Sequence, residues 1–239
     1  MSTSVIERLD SFDIKRLGES DISISTIDLL QEEKALAYLQ NQKEKLNAPN
    51  LAVAASMLSK RYAYLVVSST LYSMVELNGA PCFPMKACAL TEKRALCINE
   101  DDCPWQEAHA NREEWRTAVF QELFANHLTP VVVALQRVSR IPQTILWENI
   151  AVRINSIYRK ALDGSAGNET KQQRIYEDFQ FLKEADGVLF QLEENPIKPY
   201  MKIGKELQCN PIRQTCCMYY RLKEKSGKVS YCQVCPVKK

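Results

Sequence analysis

"NLAVAASMLSKRYAYLVVSSTLYSMVELNG", Asn50 to Gly79, is the stretch on which the fold turns. Asn50 carries a side-chain acceptor where a helix N-cap needs one. Asn78-Gly79 supplies a C-cap signal at the other end. The span between them, through Leu77, predicts one long helix. Apolar residues occupy most of its sides, so it belongs at the centre of a core rather than on a surface. Ser59-Lys60-Arg61 breaks the apolar run, which argues against a membrane span.

The flanking sequence supplies partners for that helix. Asp28 to Leu46 has apolar residues among many charges, the pattern of an amphipathic surface helix. A helix from about Asn111 to Asn126 follows, then Thr129-Pro130 as N-cap and first residue of another. Ile141-Pro142 opens a third, with Trp147 and Asn149 of "LWEN" as core and cap residues. "DGSAGNETK", Asp163 to Lys171, is the clearest internal loop, and a last helix covers Gln172 to Ala185. Met85 to Glu100 predicts a β-hairpin around Thr91-Glu92-Lys93-Arg94. The fold class is therefore α+β: mostly α-helical, with a small antiparallel β-sheet or hairpin and a C-terminal cysteine-rich segment. The expected division is a helical body, 1–205, and a cysteine segment, 206–239.

At 239 residues, with 46% apolar and 25% charged, the chain can bury a core without disulfides or metal. Only seven glycines are present, and neither GxGxxG nor GxxxxGK[ST] occurs, which excludes the common nucleotide-binding loops. The start, MSTSVIERLDSFDIKR, has no apolar signal-peptide core, so a cytoplasmic location is expected. There thiols stay reduced, and a cysteine cluster points to metal before disulfide. Nine cysteines, an odd number, also fit a fully paired framework poorly.

Four of those cysteines crowd into "TCCMYYRLKEKSGKVSYCQVC", Thr215 to Cys235. Cys232 and Cys235 form a CxxC, whose tight turn lets two sulfurs converge on one metal. Cys216 and Cys217 are adjacent and can converge only if the backbone bends. The spacing points to a metal and leaves zinc and iron–sulfur both open, with unbound redox thiols a third choice. From Arg213 onward there are seven Lys/Arg against one acid, Glu224, a positive field that would draw an anionic partner. Cys82, Cys88, Cys97 and Cys103 are expected as small buried hydrophobes, with Cys88 facing Cys97 across the hairpin.

"IRQTCCMYYRL" followed by the terminal CxxC resembles the C-terminal signature of FhuF-type siderophore-iron reductases. Ala54 to Pro81 and "NHLTPVVVALQRVSRIPQTILWENIA", Asn126 to Ala151, also resemble that family. The gap between CC and CxxC, fourteen residues from Met218 to Tyr231, is longer than the family's usual one, with "KEKSGK" as a hairpin tip. The resemblance implies a [2Fe–2S] cluster on Cys216, Cys217, Cys232 and Cys235, passing one electron to Fe(III) in a siderophore complex. Arg213, Arg221, Lys223, Lys225 and Lys228 would raise the cluster's potential and attract an anionic ferric complex. Lys60, Arg61, His127, Arg137 and Arg153 are the candidate substrate contacts, being cationic or proton-donating within the family-like segments. With no flavin or nicotinamide motif, the electron would come from another protein, such as a ferredoxin or flavodoxin, or from a small reductant. One rival is a zinc-stabilised binding protein with a basic tail. Its tail lacks standard finger spacing, and no nucleic acid is expected as partner. The other rival, a dithiol at Cys232 and Cys235, lacks the strand-to-helix context it would need.

Overall fold

Asn50 caps the long helix, its Oδ1 accepting the Val53 amide at 3.0 Å, a contact worth about 1 kcal/mol. The computed structural model describes residues 4–18, 21–202, 212–222 and 229–238. Its main elements, in chain order, are α1 (Val5–Arg8), β1 (Ile14–Arg16), β2 (Ile22–Ser25), α2 (Glu32–Lys45), α3 (51–77), β3 (Gly79–Pro81), β4 (Cys88–Thr91) and β5 (Leu96–Ile98). They continue with β6 (Trp105–Glu107), α4 (Arg112–Ser139), α5 (Gln143–Asp163) and α6 (Glu169–Glu184).

Helix α3 is buried on nearly all sides, with Val53, Leu58, Leu65, Val66, Leu71 and Met74 in the core. It packs against α2, α4 and α5. Its second half loosens into π-type turns at Tyr64–Ser68 and Ser73–Leu77. Hydroxyls explain the loosening: Ser69, Thr70 and Ser73 each hydrogen-bond back to carbonyls in the preceding turn. Such bonds compete for the helical acceptors and satisfy hydroxyls that would otherwise be buried alone. The helix ends at Asn78, which takes the left-handed conformation at φ 50°. Gly79 serves a different need from capping. A Cβ there would stand 2.6 Å from the Trp105 indole, so the close pairing of β3 with β6 requires glycine.

Several sequence expectations shift. The predicted helix at Asp28 starts only at Glu32, because Thr26–Leu30 forms a tighter 3-10 turn first. Thr129-Pro130 does not open a new helix. Helix α4 runs through it by way of a π-type stretch, Glu122–Leu128, with Thr129 itself helical. Proline removes a backbone donor and its ring crowds the carbonyl one turn back, and the widened turns that precede Pro130 accommodate both. Asn168 caps α6 by accepting the Lys171 amide at 2.9 Å, so α6 starts at Glu169 and the loop shrinks to 164–168. Helix α4 is long and apolar enough to cross a membrane, but 67% of its most apolar window is buried inside the protein.

The hairpin is present one residue out of the expected register. Cys88 pairs with Ile98 and Ala89 with Cys97, so Cys88 and Cys97 point to opposite faces. The displacement follows from the turn, where Arg94 adopts φ 61° and the Thr91 and Ala95 backbones bond. Two further strands flank the hairpin, β2 antiparallel to β4 and β1 parallel to β5, giving the order β1-β5-β4-β2. The architecture is α+β and mostly helical, with one parallel edge pair added to otherwise antiparallel small sheets.

Candidate cysteine site and adjoining cationic cleft

The cysteine segment is fastened to the body by one buried polar knot. Asn149, next to Glu148 on α5, donates to the Ser56 carbonyl and to the Ser56 and Ser59 hydroxyls on α3. Arg213 enters between them: its guanidinium donates to Asn149 Oδ1 at 2.6 Å and pairs with Glu148 at 3.3 Å. Both side chains of that pair are almost wholly inaccessible, 1% and 3% exposed. Glu148 also accepts the Gln214 and Thr215 amides at 2.6 and 2.8 Å and the Thr215 hydroxyl. Ser56 Oγ donates to the Cys217 carbonyl at 2.8 Å. The Arg213 amide donates to Val234 O at 3.1 Å, joining the CC stretch to the CxxC stretch. Asn149 is thus a bridge inside the protein rather than a helix cap, while Trp147 is core, as expected.

Each of the four C-terminal sulfurs receives a backbone N–H from the residue two positions on. Met218 donates to Cys216 Sγ at 3.3 Å and Val237 to Cys235 Sγ at 3.4 Å. Tyr219 and Val234 play the same part for Cys217 and Cys232. Met218, directly after the adjacent pair, takes the left-handed conformation at φ 60°. Lys60 Nζ, from α3, stands 3.4 Å from Cys217 Sγ. The Cys232 thiol hydrogen bond, with Lys60, the Tyr219 amide and Arg213 behind it, pulls the Cys217 thiol down to about 5 against the effect of burial. The same hydrogen bond, with burial, pushes the Cys232 thiol up. Cys216 lies within electrostatic range of Cys217 and Cys235. Among the described residues no three His, Cys, Asp or Glu side chains meet at a single metal point.

Beside these thiols lies a cleft of about 410 Å3, lined by Lys60, Asn149, Arg153, Tyr219, Tyr231 and Cys232 among others. A second cleft of about 410 Å3 adjoins it and adds Arg61, Tyr64 and Arg94. Of the residues singled out in the sequence, Lys60, Arg61 and Arg153 therefore meet in one place, next to Cys217 and Cys232. Arg221 sits on the exposed turn after Met218. His127 and Arg137 lie elsewhere. His127 is buried against the Tyr62 hydroxyl and the Phe83 carbonyl, and burial pushes its pKa down to about 4, so it is neutral. Arg137 donates to Leu30 O at 2.7 Å and pairs with Glu32, tying α4 to the start of α2. Lys223, Lys225, Lys228, the KEKSGK tip and Cys209 fall outside the described residues.

The upstream cysteines form their own group. Cys88 hydrogen-bonds Cys103, with Cys82 in electrostatic range. Burial, then Glu122 and Cys103, push the Cys82 thiol up to about 11, so it stays protonated. No disulfide joins the described cysteines.

The family described as "Ferric iron reductase FhuF-like transporter" matches residues 56–193, more than half of the chain. This protein belongs to the FhuF-like ferric iron reductase family. Membership places it among oxidoreductases acting on ferric iron. The match covers most of α3 and all of α4 and α5, including Lys60, Glu148, Asn149 and Arg153, and stops before the C-terminal cysteines. No curated protein matches the chain. Glu148, Arg94 and the Tyr64 and Tyr219 rings are parts of this region that sequence reasoning missed. An acid amid the apolar face of α5 was the one available signal, since a buried carboxylate demands a partner.

Proposed function

We propose that this protein is a cytoplasmic ferric-siderophore reductase in which Cys216, Cys217, Cys232 and Cys235 hold a [2Fe–2S] cluster. The observation that carries the reading is the set of four backbone amides, each aimed at one of four sulfurs two residues earlier. Thiolates are the form that binds iron, and N–H donors and a nearby ammonium stabilise that charge. The Cys217 and Cys232 thiols hydrogen-bond each other, and Cys216 lies within electrostatic range of Cys217 and Cys235, so the four sulfurs are close enough in the fold to serve one cluster. Four thiolate donors without histidine fit the same group.

When bound, the cluster supplies one electron at a time at a potential set by charge, hydrogen bonds and exposure. The chain's own residues do the remaining work. Lys60 and Arg213 place positive charge by Cys217, and the amides hold the sulfurs in orientation. The Glu148–Arg213 knot fixes the segment to the helical body, so that the cleft and the thiols keep one geometry. Lys60, Arg61 and Arg153 draw the anionic ferric complex into that cleft. Iron is held tightly by hard oxygen ligands as Fe(III) and far less tightly as Fe(II), so a single electron suffices for release. The electron donor is a ferredoxin, a flavodoxin or another reductant.

The test is Fe(II) capture by a chromogenic chelator, with ferric siderophore and a chemical reductant supplied to the full chain. Wild type should release Fe(II), whereas Cys216→Ser and Cys235→Ser should lose both bound iron and release. Cys88→Ser, altered in the separate upstream group, should keep both. Equal release by wild type and the two C-terminal variants would sink the assignment.

A further inference from the structure

We infer that Cys82, Cys88 and Cys103 form a thiol–disulfide exchange site, at which a small disulfide of the glutathione class reacts first with Cys82 and leaves a Cys88–Cys103 bond behind. The site is separate from the C-terminal cysteines and stands whether or not they hold a cluster.

Three adjacent backbone segments bring these sulfurs together. The Cys82 amide donates to Pro104 O at 2.9 Å, which sets Cys82 beside Cys103 where β3 meets β6. The Asn99 amide donates to Ala87 O at 2.8 Å. That bond holds the 3-10 turn Glu100–Asp102, just before Cys103, against the start of β4, where Cys88 stands. Cys88 and Cys103 hydrogen-bond each other, and Cys82 is in electrostatic range of both. Two thiols in contact on separate segments are near the spacing that a disulfide needs. Cys97 points to the other face of the hairpin and is not the partner of Cys88.

Access to the three is unequal. Cys88 is 1% and Cys103 0% exposed, whereas Cys82 is half-buried and lines a recess with Glu122 and His127. A small disulfide therefore meets Cys82 first. The Cys82 thiolate attacks it, a mixed disulfide forms, and one glutathione thiolate leaves and takes up the Cys82 proton. Cys103 then attacks the Cys82 sulfur and expels the second glutathione, which takes the Cys103 proton. Cys88 attacks the Cys103 sulfur last, and Cys82 leaves as a thiolate that takes the Cys88 proton. The sum is two protein thiols oxidised to one disulfide by two electrons, and one small disulfide reduced to two thiols. Burial, then Glu122 and Cys103, hold the Cys82 thiol at about 11, so the first step is slow at neutral pH. The finished bond ties β4 to the entry of β6.

The full chain is incubated with oxidised glutathione at about pH 9, where more of Cys82 is ionised, then alkylated and mapped by tryptic mass spectrometry. The Cys88 peptide should appear linked to the 95–112 peptide, with fragmentation placing the bond at Cys103. Cys97 lies in that same peptide, so Cys97→Ser is the control and should link equally well. The oxidised chain should melt about 5–10 °C above the reduced one, and a dithiol should reverse the shift. Cys82→Ala should slow the linkage about tenfold or more. Cys103→Ala should trap glutathione on Cys82, and Cys88→Ser should stop at a Cys82–Cys103 bond. Should a variant fail to fold, as judged by its thermal melt, the wild-type map and the Cys97→Ser control decide. Linkage through Cys97, linkage in folded Cys82→Ala at the wild-type rate, or glutathione that stays on wild-type Cys82 would each overturn the inference, as would no linkage at all.

Discussion

Replacing Arg213 with methionine keeps an unbranched apolar stem and removes the guanidinium and its charge. The structure then leaves Glu148 almost wholly buried, still holding the Gln214 and Thr215 amides but without its guanidinium. Losing one partner of a buried pair costs about 3–5 kcal/mol, because an uncompensated charge stays in low dielectric. Arg213 also bonds Asn149 Oδ1 and the Thr215 carbonyl, so both of those acceptors lose a donor. The cost falls where the cysteine segment meets α5, so the segment should detach before the helical body unfolds. Limited proteolysis should cut Arg213→Met within the segment under conditions that leave wild type intact, and bound iron should fall in parallel. In the double variant Glu148→Gln/Arg213→Met the orphaned charge is gone. Its loss should therefore be smaller than the sum of the two single losses, by about 1–3 kcal/mol of coupling. Wild-type protease resistance and iron content in Arg213→Met would refute the knot as the anchor.

Three other outcomes follow from the same geometry. His127 has its folded pKa depressed to about 4, against 6.5 unfolded. Its stabilising effect is full above pH 6.5, and it is lost as pH falls toward 4, by about 3 kcal/mol in all. Urea midpoints between pH 7 and 4 should show that slope, and His127→Gln should flatten it. Gly79→Ala drives a Cβ into the Trp105 indole; melting should reveal a loss of roughly 1–3 kcal/mol together with a change in tryptophan fluorescence. Asn50→Ala removes the cap of α3 and should cost about 1 kcal/mol in denaturant unfolding, with the m-value unchanged.

Helical periodicity and capping chemistry made the body legible. Asn50, Asn78 and the apolar faces of α3 and α5 act locally, and their meaning is fixed within a few residues. What escaped is what local rules do not encode. The run through Thr129-Pro130 depends on a π-type stretch that tertiary packing stabilises, overriding the usual reading of proline as a start. Strands β1, β3 and β6 are three residues each, too short to show alternation. At the site, CC and CxxC pointed to a metal by spacing alone. The amides that serve the sulfurs became visible only once the backbone was folded. Arg213 was expected to tune charge, and it does lie near Cys217, but its main contacts are to Glu148 and Asn149 across sixty-odd residues of sequence. Lys60 and Arg153 were chosen for their charge; their convergence on one groove is a consequence of α3 packing along α5.

The most direct measurement is the metal content and visible spectrum of the full chain purified without oxygen. The account predicts a red-brown protein with iron and acid-labile sulfide in equal amounts. Its visible absorption should bleach on reduction and return when a ferric siderophore is added, with Fe(II) released. Colourless protein carrying stoichiometric zinc and no sulfide would contradict it.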